Sequence, residues 1–342
     1  MMAKFELLAK EMRLKQDEQA KLFEKQRRVL ERRIKELKKL PDEATLREKL
    51  AYAFEYDSSR RFPAFIWQTW PSQGMQDSKG VLVEDVASNR ANWDEKNPGF
   101  VHEIINDNIA GALVRHYYAS IPDVLEAYNS LPNKILKIDF FKYLILLARG
   151  GLYADMDTVP LQPIPNWVPA QMDPGKIGLV VGIEHDAKDA TWRNEYVRRL
   201  QFGTWIIQAK PGHPVIREVV AHITETTLDR KMRGELNLNF RNDLNIMSWT
   251  GSGVWTDALF TYFNDYLRSG VTKKVTWKEF HNLAVPKLLS DVLVFPEFSL
   301  KAPNKISSDD PNKSMYFATH EGAKFWKTVP KVEDPSAPQK LQ

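Results

Sequence analysis

Residues 133–151, NKILKIDFFKYLILLARGG, constrain the fold more than any other stretch of the chain. Apolar side chains wrap most of a helix drawn through them, so this helix cannot lie on a surface and must be enclosed by other elements. Gly150 stands where a left-handed C-terminal cap belongs, and Gly151 lets the chain turn sharply. LYADMDTVPL then reads as a strand that carries Asp155 and Asp157 to its end before breaking into a loop with Pro160, Pro163, Pro165 and Pro169.

A buried helix feeding a strand belongs to a layered architecture, and the flanking sequence supplies more of both elements. Ala64 to Trp70 reads as a buried strand entered through Pro63, and GFVHEIIN (99–106) as a second. IPDVLEAYNSL (121–131) and PVIREVVAHITETTL (214–228) read as helices. IGLVVGIE (177–184), FGTWIIQA (202–209) and VLVFPEFSL (292–300) read as further strands. Alternating strands and helices predict an α/β fold with a mostly parallel sheet flanked by helices.

The N-terminus is different in kind. Half of residues 1–50 are charged, and residues 4–40 contain no Gly or Pro, which predicts one long helix ended by Pro41. Phe23, Leu30 and Leu37 recur every seven residues with Ile34 between them. That stripe suits either a solvated helix packed on one side or a stem that meets a partner helix. The expected organisation is a charged helical stem over 1–50, a catalytic domain over 51–327 and a flexible tail over 328–342.

Charge follows the same division. Residues 1–50 hold 15 basic and 10 acidic residues, whereas the remainder holds 33 and 34. The body is therefore near neutral, which argues against nucleic acid as a partner. With no cysteine there is no thiolate nucleophile, disulfide or Cys-ligated zinc. No apolar run approaches the ~20 residues of a membrane span. Fingerprints for dinucleotides, P-loop phosphates, HExxH zinc and the GxSxG nucleophile are absent from the sequence. One glycosylation sequon, Asn312-Lys313-Ser314, points weakly to a lumenal protein.

The chemistry-bearing motif is Asp155-Met156-Asp157. In extended backbone, residues i and i+2 project to one side, so both carboxylates can reach one hard divalent cation such as Mg²⁺ or Mn²⁺. A short motif of this kind also recurs by chance, as the polar end of a buried strand. Context favours the cation, because ligands in open α/β sheets bind beyond the carboxyl ends of strands. Asp139 and Lys142, at i and i+3, share one face of the preceding apolar helix. They read either as a helix ion pair or as groups that take sugar hydroxyls and phosphate. Glu184 and His185 end another strand on the same side and are candidates for acceptor contact.

IWQTW (66–70), KIDFFKYLILLARGGLYADMDT (137–158) and TGSGVWTDAL (250–259) together resemble glycosyltransferase family 32, over about residues 62–327. The resemblance implies a GT-A-type, Rossmann-like fold, a nucleotide-sugar donor, Mn²⁺ (or Mg²⁺) as cofactor and retention of anomeric configuration. It matches Asp155 and Asp157 to the aspartates that bind metal and diphosphate, and Asp139 to one that binds the donor sugar. Lys142 stands where Arg is more usual, offering a point charge without the guanidinium fork. Trp67 and Gln68 match residues beside the nucleotide base and ribose. His320 in ATHEGAKFWK (318–327) matches a late metal ligand, and Lys324 adds a possible phosphate contact. Trp255 and Asp257 fall in a segment expected to wall the acceptor or donor sugar.

SSRRFPAFIWQTW (58–70) is further similar to the family's fungal Golgi mannosyltransferases that begin outer chains on N-glycans. That likeness implies GDP-mannose as donor, a high-mannose N-glycan as acceptor and an α-1,6 product. It also implies the Golgi lumen, with membrane attachment of type II through an anchor outside this chain. Two other readings stay open on sequence alone: a UDP-sugar-dependent transferase of the same fold, and a non-catalytic glycan-binding subunit of a mannosyltransferase complex.

Overall fold

The computed structural model describes residues 43–70, 82–240 and 242–322, together with 18–19, 22–27, 29–30 and 40–41. The chain divides into two compact units, 1–49 and 50–342. In the first, 22–27 and 29–30 are helical, and Phe23 and Leu30 are exposed. Most of the expected 4–40 helix, including Ile34 and Leu37, lies outside the described residues, as do the 328–342 tail and Lys324.

The elements of the body run, after α1 (Leu46–Ala53), as β1 (Phe65–Thr69), α2 (Leu82–Lys96), β2 (Val101–Ile105), α3 (Asp107–Tyr117) and α4 (Pro122–Ser130). They continue with α5 (Lys134–Arg149), β3 (Gly151–Ala154), β4 (Thr158–Pro160), β5 (Leu179–Asp186), β6 (Leu200–Phe202) and β7 (Ile206–Ala209). The last are α6 (Pro214–Arg233), α7 (Asp243–Trp249), α8 (Ser252–Asn264), α9 (Tyr266–Ser269), β8 (Lys287–Leu289), β9 (Val292–Phe295) and β10 (Ala318–His320).

The main sheet has the order β2-β1-β3-β7-β5-β9-β8, with β6 paired to β5. β1 is parallel to β2 and β3, and β5 is parallel to β9. β7 is antiparallel to both β3 and β5, so β2, β1, β3, β5 and β9 all run one way. The sheet is thus mixed and mostly parallel, with the carboxyl ends of β1, β3 and β5 on one edge.

Asn133 caps α5 through its side chain, and the helix packs on β3 and β7 while α3, α6 and α7 enclose its other sides. That enclosure accounts for its all-round apolar surface. The opposite face of the sheet, with Ile66, Leu152, Ala154, Val180 and Leu293, is covered by Trp93 of α2, Trp167 and Phe317. Among the described residues, no helix is long and apolar enough to cross a membrane.

Two local expectations change. Gly150 has φ 64 and ψ −162, a positive-φ but extended link rather than a left-handed cap. A Cβ there would meet the Ala209 carbonyl oxygen at 2.7 Å, and one on Gly151 (φ 98) would meet the Phe65 carbonyl oxygen at 2.8 Å. The pair is therefore what lets β3 enter between β1 and β7. FGTWIIQA is two strands, not one, because the chain breaks at Gly203-Thr204-Trp205 between β6 and β7.

Candidate active site

β3 stops at Ala154, so Asp155 and Asp157 do not share an extended strand as expected. They flank a turn, in which the Asp155 carbonyl accepts from the Thr158 N–H at 3.1 Å and the Thr158 hydroxyl at 2.6 Å. The Asp155 N–H donates to the Trp205 carbonyl at 2.7 Å, tying this turn to the β6–β7 break. β4, just beyond, pairs antiparallel with β10, placing His320 opposite Thr158. A residue far away in sequence is thereby delivered beside the turn.

The result is a three-residue cluster. Ligand atoms of Asp155, Asp157 and His320 all lie within 4.8 Å of one another, and His320 Nε2 is 3.4 Å from Asp157 Oδ2. Trp205 stacks on the His320 ring, with centroids 4.7 Å apart and planes 8° from parallel. The Trp205 indole N–H donates to the Leu300 carbonyl at 2.8 Å, so the platform is itself held in place.

Behind the cluster sits a buried cation. Lys142 Nζ is 3.0 Å from Asp139 Oδ1, 3.6 Å from Asp155 Oδ1 and 3.5 Å from the Thr204 carbonyl oxygen. Thr250 donates to Asp139 Oδ2 at 3.1 Å. Burial opposes the charge on Lys142, but Asp155 and Asp139 outweigh it and hold its pKa above the ordinary value. Lys142 thus faces three protein oxygens, on Asp139, Asp155 and Thr204.

Asp155 shows why a cation fits here. Desolvation pushes its carboxyl above the usual range; Lys142 opposes that shift and Asp157 adds to it. Two crowded carboxylates with one fixed counter-charge gain from a further positive charge. Two carboxylates and an imidazole also form a donor set that suits Mn²⁺ and leaves positions for substrate oxygens.

Glu184 stands near the carboxyl end of β5, on the same edge of the sheet. Its Oε2 accepts from Gln201 Nε2 at 2.8 Å, and Gln201 also donates to Ser252 Oγ at 2.8 Å. Desolvation raises its carboxyl, while Gln201 and Ser252 restrain it. Tyr143 of α5 is fully buried, and its hydroxyl has no hydrogen-bond partner among the described residues.

The other sequence candidates are placed differently. Trp67 is buried, with Phe65 stacked on it at 5.0 Å and its N–H donated to the Gly150 carbonyl at 2.8 Å. It seals the sheet against α5 and does not offer a face to a base. Gln68 is fully buried and supports the turn from beneath, donating through Nε2 to the Asp155 carbonyl at 3.3 Å and accepting through Oε1 from His102 Nε2 at 2.8 Å. Trp255 is buried behind Tyr143, its ring 5.5 Å away and near parallel. Asp257 pairs with Arg198 at 2.7 and 2.5 Å, so its carboxylate is already engaged. His185 stacks on Tyr196 at 3.9 Å and lines a separate cavity beside Glu184. Sequence reasoning missed Thr204, Trp205, Gln201 and Thr250. Their roles come from a strand break and from helix entry points, which leave no periodic signal.

Residues 84–173 match a family described as the glycosyltransferase sugar-binding region containing DXD motif. The chain is 61% identical over 333 residues to HOC1 of Saccharomyces cerevisiae, a protein named as a glycosyltransferase without a stated sugar, covering 96% of this chain and 81% of that one. It is 40% identical over 311 residues to the initiation-specific alpha-1,6-mannosyltransferase of Candida albicans, covering 86% and 80%. The Schizosaccharomyces pombe protein of the same name is 36% identical over 282 residues, covering 82% and 67%. Among solved structures, PaToxG Glycosyltransferase aligns with 68% of this chain and 87% of its own at 14% identity and a TM-score of 0.41.

The protein is an enzyme of the sugar-transferring class, a glycosyltransferase. Within that class the chain belongs to the DXD-containing family 32 glycosyltransferases, the group of the relatives above.

Proposed function

We propose that the protein transfers mannose from GDP-mannose to a mannose of a high-mannose N-glycan, in α-1,6 linkage and with retention of configuration. The observation that carries this reading is the convergence of Asp155, Asp157 and His320 at the carboxyl edge of the sheet, in a chain whose relatives are named for α-1,6-mannosyl transfer. Asp155, Asp157 and His320 are the residues that would hold Mn²⁺ or Mg²⁺. A cation bound there supplies neutralisation of the charge that develops on the departing diphosphate.

The chain's own residues do the rest. Lys142 pairs with both Asp139 and Asp155 and fixes where their carboxylates point. Among the described residues, Asp139 Oδ1 meets Lys142 and Oδ2 meets Thr250, and a carboxylate oxygen can accept more than one bond, which leaves capacity for sugar hydroxyls. Glu184, held by Gln201, faces the acceptor side. The α-linked donor and the α-1,6 product have the same configuration, which is what retention means here. We place 51–327 as the catalytic domain, 1–50 as a stem able to meet a partner helix and 328–342 as a tail, in a Golgi enzyme of type II topology.

Titration calorimetry with GDP and with UDP, each with and without Mn²⁺, tests the donor site. Mn²⁺-dependent binding of GDP is expected. A preference for UDP replaces the donor, and no Mn²⁺-dependent binding of either nucleotide removes the metal-dependent reading. Linkage analysis after incubation with GDP-mannose and a high-mannose glycan then reads the product.

A further inference from the structure

Beside Glu184 the structure opens a cavity of about 390 Å³ that none of the cluster residues lines. That volume falls in the range of roughly 300–1,000 Å³ typical of small-molecule sites. It is bounded by the segment after β5, with Trp192 and Tyr196, and by Glu297 after β9. We propose that this cavity is a subsite for a neutral sugar unit of the acceptor glycan, set back from the unit that receives the transfer. The inference rests on the glycosyltransferase reading and adds the place where acceptor length is measured.

Position is the first argument. β5 runs in the same direction as β3, so its carboxyl end and the Asp155 turn share one edge of the sheet. Only β7 separates the two strands, a span of about 10 Å at the usual spacing between neighbours. A glycan whose reacting hydroxyl lies by the cluster therefore reaches the cavity within a few sugar units.

The lining is the second argument. His185 and Tyr196 form a parallel stack, centroids 3.9 Å apart and planes 2° from parallel. Half-buried Trp192 adds a third aromatic side chain, steadied by the Arg193 guanidinium 4.7 Å from its centroid. Rigid rings beside polar groups are what the alternating apolar faces and hydroxyls of a sugar need. His185 Nε2 is buried without a partner among the described residues. Burial holds the His185 imidazole below its ordinary pKa, which keeps the ring neutral at pH 7.

Charge and rigidity are the third. Four carboxylates, Asp186, Asp189, Glu195 and Glu297, face a single Lys188 in the lining. Lys301 also acts on Glu297 and His185, but the balance stays acidic and favours a neutral ligand over an anionic one. Asp186 is held by His281 at 2.8 Å and by the Asn282 N–H at 2.6 Å, and Asp189 caps Thr191 at 2.8 Å. Those two pin the walls, leaving Glu195 to accept from hydroxyls, together with the capacity Glu297 keeps beyond its bond from the Asp186 N–H.

The test uses Trp192→Ala and Trp192→Phe in the full chain, with α-methyl mannoside and a high-mannose glycan as acceptors. For Trp192→Ala, kcat/KM with the glycan should fall about tenfold, chiefly through KM, with the short acceptor unaffected. Trp192→Phe should recover most of the loss. An equal loss with both acceptors, or none with either, overturns the subsite. Ligand-observed NMR of the glycan on wild type and Trp192→Ala, with no donor present, separates this idea from the donor assignment. Glycan binding that Trp192→Ala removes supports the cavity even if no GDP-mannose is used. Binding that the substitution leaves intact overturns it even if transfer occurs.

Discussion

Trp205 lies flat against His320, 4.7 Å between ring centroids, and the same residue's carbonyl receives the N–H of Asp155. One side chain and its own backbone therefore position two of the three candidate metal ligands. Groups that orient ligands are worth about 10–100-fold in metal affinity. Trp205→Leu should raise the Mn²⁺ concentration for half-maximal GDP binding by about tenfold, and Trp205→Phe by less. Calorimetric titration of Mn²⁺ in the presence of GDP reads this, and an unchanged requirement would remove the platform role.

Lys142 is the fixed counter-ion of Asp139 and Asp155. Removing one member of a buried ion pair leaves uncompensated charge and costs about 3–5 kcal/mol. Lys142→Met should lower urea stability by that order and abolish transfer. Added Mn²⁺ should stabilise Lys142→Met more than wild type, since the cation replaces missing positive charge. Equal shifts in both proteins would place the cation away from Asp155.

Glu184 is the carboxylate near the end of β5, held by Gln201. Glu184→Gln keeps the shape and removes the charge. We expect transfer to the glycan to drop at least a hundredfold while Mn²⁺-dependent GDP binding is retained. A parallel loss of GDP binding would move Glu184 to the donor side.

Gly151 sits at φ 98 with Phe65 backbone and side chain within 2.9 Å of where a Cβ would lie. Gly151→Ala combines a disfavoured backbone with a clash and should cost about 2–4 kcal/mol. A shift of the urea midpoint with an unchanged slope checks it. Asp155 follows four residues later, so any surviving fold should bind Mn²⁺ more weakly.

At the opposite edge of the sheet, Asp291 accepts from the Tyr262 hydroxyl at 2.7 Å and from Tyr56, with His213 Nε2 at 3.4 Å. Burial opposes its ionisation, but the nearby His213 imidazole and the bonds from Tyr56 and Tyr262 prevail and hold the carboxyl well below the usual range. Its unfolded pKa is about 3.9. The stabilisation is therefore fully present above about pH 4 and is lost as the pH falls further. Asp291→Asn should cost about 2–3 kcal/mol at pH 7. The difference in Tm from wild type should narrow when both are measured at pH 3, and a constant difference would exclude the carboxylate charge as its source.

The amino-acid sequence alone determined the layers. A helix apolar on all sides needed enclosure, and α3, α6, α7 and the sheet enclose α5. Local pattern also placed the two aspartates at the end of β3 and marked the Gly150-Gly151 link, because periodicity and backbone freedom are properties of neighbouring residues. What the pattern could not carry was anything set by long-range pairing. The antiparallel β7 between β3 and β5, and the break at Gly203-Thr204-Trp205, depend on which strands meet. Only that meeting turned Lys142 inward, enclosed Trp67, supported the turn with Gln68 and engaged Asp257 with Arg198. His320 reaches Asp157 for the same reason, since a ribbon between β4 and β10 closes about 160 residues of intervening chain. Residue types proposed a metal site; tertiary contacts decided which of them share it.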